Sequence, residues 1–316
     1  MTSERDTGRL EGRSEDRGQD RAQDRGQDRA RDRARGHLVG MVHLLPLPGS
    51  PRWGGSMDAV LLRARADARA LVTGGLTGGK THGTTGGMDA VLVENFGDVP
   101  FLPGRVAPET CAALSLAVAA VLEEVAEAAA PRRIPVGVNV LRNDAATALA
   151  VAAVTGASFI RVNVHTGSMF TDQGLLEGEA HATLRRRATL APGVGICADV
   201  HVKHATPPAG ASLEEAALDT LERGLADVLI VSGSGTGRPV DVERLRRVRA
   251  VAPGAHLWVG SGVTPGSARS LLEVADGVIV GSALEEGGRA GAPVDPARVR
   301  AFLNAARPGY PVSETE

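Results

Sequence analysis

Short apolar runs rich in β-branched residues recur from residue 37 onward, and most are followed by a segment whose apolar positions have helical spacing. This alternation predicts strands at residues 38–43, 90–95, 136–140, 159–164, 195–202, 227–232, 257–263 and 277–281. It predicts helices between them, including residues 57–72, 112–130, 145–155, 213–223 and 242–251. Helix stop signals such as Gly156 and Gly224 separate several of these units.

Eight strand–helix units over about 270 residues are typical of a parallel (β/α)8 TIM barrel with right-handed crossovers. An open doubly wound sheet is the alternative. That fold usually has fewer units and carries a glycine fingerprint after its first strand. This chain reads HLLP there, at residues 43–46. The pattern therefore predicts one α/β barrel domain over residues 37–305.

Three segments fall outside the barrel pattern. Residues 1–36 repeat Asp and Arg with almost no apolar side chain, so we expect a disordered mixed-charge tail. Residues 75–87 are a Gly/Thr-rich insertion, and residues 306–316 are expected to form a short C-terminal tail. Residues 74–81 (GGLTGGKT) match a phosphate-binding P-loop, but that loop needs a strand before it and a helix after it. A surface insertion is the favoured interpretation.

Composition narrows the class of protein. The formal net charge is −2 and aromatic residues make up 3%, which argues against a nucleic-acid binder. Two cysteines, Cys111 and Cys197, are too few for a disulfide framework and suit a reducing compartment. The longest apolar run, residues 111–122, is too short to span a bilayer, and the charged N-terminus does not resemble a signal peptide. We expect a cytoplasmic protein without an integral membrane segment.

Side-chain alternation along the strands points to function. Within residues 159–165 apolar positions alternate with polar ones, and only the apolar set can pack against the helices. The polar set should therefore point into the barrel: Arg161, Asn163 and His165. The same rule directs inward further polar residues of neighbouring strands: Glu94, Asn139, Asp199, His201 and Lys203.

A buried polar network with a purely structural role is the alternative, for instance Arg161 paired with Glu94 or Asp199. Because desolvation costs several kcal/mol per ion, such a network stabilises a fold poorly, and a functional site is favoured. Lysine usage agrees with this, since the chain has only Lys80 and Lys203 among thirty-five basic residues. A lysine at a strand end suggests a nucleophile or a tunable acid.

The last three predicted strands end in glycine and serine. Residues 232–237 read SGSGTG, residues 260–263 read GSGV, and residues 281–282 read GS. In barrels, the loops after the seventh and eighth strands commonly hold a phosphate. Glycine lets the backbone approach an anion, and serine adds a donor. The alternative is that these are only tight turns. We predict a phosphate site at Gly233, Ser234, Gly260, Ser261, Gly262, Gly281 and Ser282.

Several long motifs resemble those of the BtpA/SgcQ family. They are GMVHLLPLPGSP (residues 40–51), VENFGDVPF (93–101), PVGVNVLRND (135–144), IRVNVHTG (160–167) and ADVHVKH (198–204). The resemblance covers roughly residues 37–303 and implies a TIM barrel of the ribulose-phosphate-binding type. Some members are named for a role in photosystem I biogenesis, and others are labelled nucleosidases or sugar-metabolism proteins. No catalytic residue carries over from the family.

A more distant resemblance links the VENFGDVP segment and the glycine-serine strand ends to tryptophan synthase α-type barrels. It implies a phosphate held by loops six to eight and an acid/base carboxylate on the second strand.

The sequence thus predicts an enzyme acting on a small phosphorylated ligand, such as a sugar phosphate or a nucleotide-like compound. Glu94 and Asp199 would act as general acid or base, and Lys203 would form a Schiff base or stabilise an oxyanion. His201 joins this predicted catalytic group. The predicted substrate-binding residues are His43, Asn139, Arg161, Asn163 and His165.

Three alternatives stay open. No cofactor is predicted, but a divalent metal held by His43, Glu94, Asp199 and His201 would suit a hydrolase or nucleosidase. A non-catalytic assembly or stability factor of the photosystem I biogenesis type could use the same barrel as a binding surface. Apolar helices such as residues 112–130 leave a homo-oligomer open.

Overall fold

The structure, a computed structural model, describes residues 36–74, 86–233 and 241–307. Within these ranges, the residues from His37 onward belong to one compact unit. The predicted N-terminal tail, the Gly/Thr-rich insertion with its P-loop-like motif, and the predicted C-terminal tail fall almost entirely outside the described residues. Those predictions stay untested.

Eight parallel strands close a barrel, as the strand–helix alternation predicts. In chain order the strands are β1 (His37–His43), β2 (Ala90–Glu94), β3 (Val136–Asn139), β4 (Phe159–Val162), β5 (Ser168–Thr171), β6 (Gly174–Glu177), β7 (Gly195–Val200), β8 (Ala205–Thr206), β9 (Val228–Val231), β10 (His256–Val259) and β11 (Gly277–Val280). The barrel order is β1-β2-β3-β4-β7-β9-β10-β11, with β11 paired to β1. This closure confirms the (β/α)8 barrel and excludes the open doubly wound sheet.

Helices follow the barrel strands. They are α1 (Met57–Val72), α2 (Pro108–Ala128), α3 (Ala145–Thr155), α4 (Ala180–Leu190), α5 (Leu213–Leu218), α6 (Val242–Val251), α7 (Pro265–Leu272) and α8 (Pro296–Ala306). α5 continues into a π-helical turn, Asp219–Arg223, and short 3-10 turns lie at Phe96–Asp98, Ser282–Leu284 and Glu286–Gly288. Side chains such as Ser56 and Asp144 cap helix N-termini by accepting backbone N–H bonds. No helix in the described part of the chain is long and apolar enough to cross a membrane.

The two faces of each barrel strand bury different side chains. Residues such as Val91, Val93 and Ile160 face outward and pack in the main core, together with apolar side chains of the helices. The inward positions near the amino-terminal end form a second apolar cluster, here called the apolar floor: Val39, Met41, Ala90, Leu92, Phe159, Cys197, Ile230, Trp258 and Ile279. Two residues further along four of these strands, and two residues after Gly137 on β3, the inward position is polar. We call these residues the polar layer: His43, Glu94, Asn139, Arg161 and Asp199.

The chain departs from the predicted strands at two places. β7 ends at Val200, not at residue 202, because His201 adopts a left-handed conformation with φ 53° and the backbone turns. β4 ends at Val162, and an antiparallel hairpin of β5 and β6 follows that the sequence did not predict. Met169 and Leu176 of this hairpin pack with Val202 in a small separate core.

Close backbone contact holds the loop after β1 against the loop after β2. The Leu44 N–H donates to the Glu94 carbonyl at 2.9 Å, and the Gly97 N–H donates to the Leu44 carbonyl at 3.1 Å. The Leu47 N–H donates to the Asp98 carboxylate at 2.8 Å. These bonds form one wall of the barrel's open end.

Replacing Gly97 with alanine should strain this wall. A Cβ at Gly97 would lie 2.4 Å from the backbone N of Pro46 and 2.7 Å from the carbonyl carbon of Leu45. Because backbone atoms cannot swing aside as a side chain can, we expect Gly97→Ala to lower the free energy of unfolding by about 1–3 kcal/mol. Urea denaturation measures the change.

Gly193→Ala is the matched control, since a Cβ there meets nothing within 4 Å. It should change the free energy of unfolding by less than about 0.5 kcal/mol. Equal effects of the two substitutions would contradict the packing argument.

Candidate active site

Three residues of the polar layer and the glycine-serine loops after β10 and β11 line one cavity at the carboxyl ends of the strands. We call it the mouth cavity. Its side chains from the early strands and its loop residues after β10 and β11 include His43, Glu94, Arg161, Lys203, Gly260, Ser261, Gly262, Gly281 and Ser282. The structure thus brings nine of the residues predicted from the sequence to a single opening.

Glu94 and His43 face each other in this cavity. The Glu94 Oε2 atom accepts a hydrogen bond from the Asn139 side-chain amide at 2.5 Å. Its other oxygen, Oε1, lies 3.8 Å from Nε2 of His43. The His43 ring also stacks at a tilt on Phe96, with 4.5 Å between ring centroids. Asn139 therefore fixes one carboxylate oxygen and leaves the other beside the imidazole.

A third carboxylate, Glu285, holds the far side of the His43 ring. Its Oε1 atom lies 2.6 Å from Nδ1 of His43, and its Oε2 atom accepts the Gly291 N–H at 3.2 Å. Glu285 is buried, with 1% of its surface exposed. A carboxylate on Nδ1 orients the ring and directs Nε2 toward Glu94.

Sequence reasoning missed Glu285. It follows the 3-10 turn Ser282–Leu284 and lies outside every strand, so strand alternation could not point to it. Its only sequence signal is an acidic residue three positions after the Gly281-Ser282 pair, beside a second glutamate, Glu286. Nothing in the sequence tells which of the two is buried.

Arg161 and Asp199 form a buried ion pair between neighbouring strands. Arg161 donates from Nε and Nη2 to the two Asp199 oxygens at 2.8 and 2.9 Å. Asp199 also accepts from the Asn163 amide at 3.1 Å and from the Ser232 hydroxyl at 3.1 Å. With four donors on one carboxylate, Asp199 is occupied in holding Arg161 in place. The paired network considered above as an alternative is therefore present at this position.

Lys203 reaches the mouth cavity from beyond the end of β7. Its main-chain carbonyl accepts a hydrogen bond from Arg142 Nη2 at 2.8 Å, which anchors the turn. Burial, together with the positive charges of Arg161 and Arg142, holds the pKa of the Lys203 ammonium below its ordinary value, although the Glu94 and Asp199 carboxylates oppose this. The neutral amine is thus more accessible here than in an exposed lysine.

The loop after β10 presents unused donors to the mouth cavity. Among the described residues, the Ser261 hydroxyl is buried without a hydrogen-bond partner. The backbone N–H groups of Ser261, Gly262 and Val263 likewise donate to no group in that part of the chain. Gly262 has a φ of 75°, and α7 begins three residues later. Successive free N–H groups near a helix N-terminus form an anion-binding geometry.

Two of the strand-end glycines are also required by packing. A Cβ at Gly260 would lie 2.4 Å from the Ser232 hydroxyl and 3.1 Å from Arg161 Nη2. A Cβ at Gly281 would lie 2.8 Å from Cε1 of His43. The arginine and the histidine therefore occupy the space that these glycines leave.

A second opening lies beside the mouth cavity, over the ends of β4 and β7. This side cavity of about 230 Å³ is lined by residues that include Asn163, Asp199, His201, Glu215 and Asp219. His201 therefore lies apart from Glu94 and Lys203, because the left-handed turn at His201 ends the strand alternation. Asn163 bonds to Asp199 from the side-cavity side.

His165 and Gly233 do not line the mouth cavity. The alternation rule placed His165 inside the barrel, but β4 ends three residues earlier, and His165 Nε2 donates to the Gly224 carbonyl at 2.8 Å. Burial lowers the pKa of the His165 ring. Gly233 is buried just after β9. Ser234 falls outside the described residues.

The four residues considered as metal ligands do not come together. Asp199 is bonded to Arg161, and His201 lines the side cavity. Within the described ranges, no group of three or more His, Cys, Asp or Glu side chains is arranged to hold a metal ion. The divalent-metal hypothesis therefore has no ligand set in this part of the chain.

Removing the charge of Asp199 should be strongly destabilising. Asp199→Asn keeps the size of the side chain but leaves the buried Arg161 guanidinium without its counter-charge. We expect a loss of about 3–5 kcal/mol in the free energy of unfolding, measured by urea denaturation. The exposed Asp172→Asn should change it by less than about 0.5 kcal/mol. A loss below about 1 kcal/mol for Asp199→Asn would contradict the assigned role.

Solved structures share the fold. The chain is similar to a protein described as KGPDC from Streptococcus mutans in complex with D-R5P, with a TM-score of 0.50 and 12% identity, covering 85% of this chain and 97% of that one. It is also similar to N-(5'-phosphoribosyl)anthranilate isomerase from Pyrococcus furiosus, with a TM-score of 0.47 and 17% identity, covering 85% and 98%. The first likeness shows the barrel fold and nothing more.

Proteins related in sequence are much more similar to this chain than these solved structures are. The chain is 46% identical over 272 residues to the Photosystem I biogenesis protein BtpA of Synechocystis, covering 86% of this chain and 88% of the relative. It is 43% identical over 270 residues to an uncharacterized protein of Thermococcus kodakarensis (85% and 95%), and 32% identical over 267 residues to an uncharacterized mitochondrial protein of Caenorhabditis elegans (84% and 90%). The family model for the BtpA family matches residues 34–308. The chain belongs to the BtpA family.

Proposed function

We propose that this barrel is an enzyme that acts on a small phosphorylated molecule, a sugar phosphate or a nucleotide-like compound, bound in the mouth cavity. One observation carries the proposal. Acid/base side chains of the early strands and the glycine-serine loops after β10 and β11 line the same cavity. A phosphate in the loops would therefore hold the rest of the molecule beside Glu94, His43 and Lys203.

The phosphate half of the proposal is supported by the unused donors of the β10 loop. The Ser261 hydroxyl and three successive N–H groups can each donate to a phosphate oxygen. Lys203 lines the same cavity and adds positive charge in its ammonium form. The Ser282 side of the cavity supplies a second glycine-serine turn.

Glu94 is the proposed general acid/base. One of its oxygens is fixed by Asn139, and the other faces Nε2 of His43. The second oxygen can take a proton from a substrate atom in the cavity or return one to it, with the His43 imidazole beside it. Glu285 acts as a positioning residue, because it touches His43 and not the cavity.

Lys203 favours chemistry at a carbonyl group. Its lowered pKa makes a neutral amine available, which can attack a carbonyl carbon to form a Schiff base. As an ammonium it would stabilise an oxyanion beside the same carbon. With Glu94 moving a proton, isomerisation or aldol-type cleavage fits these groups better than glycosidic-bond hydrolysis. Asp199, bonded to four donors, is proposed to position Arg161 rather than to transfer protons.

The name of the Synechocystis relative favours a second candidate, a factor for photosystem I biogenesis. Relatives of similar coverage occur in Thermococcus and in Caenorhabditis, which are not photosynthetic organisms. A function of the barrel that does not depend on a photosystem would suit the relatives in all three organisms. A biogenesis role in photosynthetic organisms can coexist with that function. The predicted cytoplasmic location and the open question of a homo-oligomer stay predictions.

Phosphate binding is the direct test of the loop assignment. Inorganic phosphate should bind the purified protein saturably in isothermal titration calorimetry, and Ser261→Ala should weaken it about tenfold by removing one charge-assisted donor. Since the Ser261 hydroxyl has no partner among the described residues, the substitution should leave the unfolding midpoint unchanged.

Ser270→Ala is the matched control, because Ser270 is an exposed serine on α7 that bonds only to the Ser267 carbonyl. It should leave phosphate affinity within twofold of the unsubstituted protein. Phosphate that binds equally well to the Ser261→Ala protein would remove the loop after β10 from the proposal.

Turnover tests the acid/base assignment. The purified protein is incubated with a panel of sugar phosphates and nucleotides, and consumption is followed by mass spectrometry. For any compound consumed, Glu94→Gln should lower kcat about 10²–10⁴-fold. Glu285→Gln should lower it about 10–100-fold with little change in KM, since it acts through His43.

Glu286→Gln is the control for both substitutions, because Glu286 is the exposed neighbour of Glu285. It should leave kcat unchanged. A Glu94→Gln protein with full turnover, or a protein that consumes nothing in the panel and binds no phosphate, would favour the non-catalytic candidate.

A further inference from the structure

The side cavity has the features of a binding site that the proposed reaction does not use. Its volume is about 230 Å³, enough for a small organic molecule. Its lining includes the apolar residues Met169, Pro207 and Pro208 and the acidic residues Glu215 and Asp219. A ligand that matches this lining has an apolar body and a group attracted to negative charge.

Asn163 leaves one hydrogen-bond acceptor unused at this cavity. Its amide nitrogen donates to Asp199, which assigns the other amide atom, Oδ1, as oxygen. Within the described part of the chain that oxygen is buried and accepts no hydrogen bond, and the residue is 3% exposed. A buried acceptor without a partner is destabilising, and a donor brought by a ligand would satisfy it.

The charges facing the cavity favour a cation. Glu215 and Asp219 are four residues apart where α5 passes into its π-helical turn, so they share one face. The Arg223 guanidinium lies 3.8 Å from Asp219, but both groups are exposed and such a pair is weak. Asp199 is neutralised by Arg161.

His201 does not offset this negative charge. Burial, together with the nearby Arg244 guanidinium, holds the pKa of the His201 ring below its ordinary value, against the opposing effect of Glu214. The lowered pKa favours the neutral form of the ring. Of the groups that line the cavity in the described residues, only the carboxylates bring charge.

We propose that the side cavity binds the ammonium group of a small organic amine, with its nitrogen near Asn163, Glu215 and Asp219 and its carbon chain against Met169, Pro207 and Pro208. The amine donates to the unused oxygen of Asn163 and is attracted by the two carboxylates. Binding of a free amine in this cavity does not depend on the proposed reaction in the mouth cavity.

The Arg161–Asp199 pair stands between the two cavities. Arg161 lines the mouth cavity, and Asp199 lines the side cavity. The amine can therefore come from two sources: the far end of the phosphorylated substrate, or a second molecule bound next to it. Both sources present the same ammonium chemistry to the side cavity.

n-Butylammonium is the probe, and 1-butanol is its neutral counterpart. Each is titrated into the full-length ¹⁵N-labelled protein, and the dissociation constant is taken from amide chemical shifts. Butylammonium should bind at least tenfold more tightly than butanol. The double variant Glu215→Gln/Asp219→Asn should weaken the binding of butylammonium by about tenfold or more. A carboxylate about 4 Å from an ammonium group in water contributes about fivefold to the affinity.

Glu222→Gln is the matched control, since Glu222 is an exposed acid of the same π-helical turn and does not line the side cavity. It should leave the butylammonium dissociation constant within twofold. The proposal is overturned if butanol binds as well as butylammonium, or if the double variant binds butylammonium as well as the unsubstituted protein does.

Aminoalkyl phosphates of increasing chain length identify the source of the amine. If one length binds more than about tenfold tighter than both butylammonium and phosphate, the amine is the far end of the substrate. If every length binds only as well as the better fragment, the amine belongs to a second molecule. In either case the double variant must reduce butylammonium binding.

The test of amine binding in the side cavity is independent of the test of phosphate binding in the mouth cavity. Loss of phosphate binding in Ser261→Ala reports on the mouth cavity, and loss of butylammonium binding in the double variant reports on the side cavity. Failure of one measurement leaves the other informative, so the two proposals can be rejected separately.

Discussion

The carboxyl end of this barrel depends on one buried ion pair. The Arg161 guanidinium lies inside the barrel with 4% of the residue exposed, and the two bonds that it donates to the Asp199 carboxylate offset the cost of burying its charge. Ser232 and Asn163 complete the shell of the carboxylate and so connect the ends of β4, β7 and β9. With the pair formed, a face of the arginine is available to one cavity and a face of Asn163 to the other.

The pair also explains why glycine stands at the strand ends. Polar side chains as large as arginine and histidine can fill the top of the barrel only if neighbouring strands give up their own side chains. Gly260 leaves space for Ile230, Ser232 and Arg161, and Gly281 leaves space for His43. The same glycines leave the backbone of the following loops open to an anion. Close packing and anion binding therefore both favour glycine at these positions. A glycine-serine motif in the sequence does not show which of the two accounts for it.

Much of this arrangement follows from strand periodicity. Apolar and polar side chains alternate at every second position along β2, β3 and β4. Since only the valines and isoleucines can face the helices, the alternation identifies Glu94, Asn139 and Arg161 as inward residues. The rule stops working where the strand stops. The rule predicts His201 as the next inward residue, but a left-handed backbone turns it toward the side cavity, and no periodic signal marks that turn. Glu285, 242 residues from His43 in sequence, is found only once the barrel closes.

The apolar floor limits how molecules move through this protein. Trp258, Phe159 and Ile230 fill the interior below the polar layer, so the barrel is plugged at its amino-terminal end. Among the described residues, Glu94 therefore opens toward the loop end of the barrel. A molecule bound beside Glu94 would leave along the path by which the next one enters, so entry and exit would exclude each other.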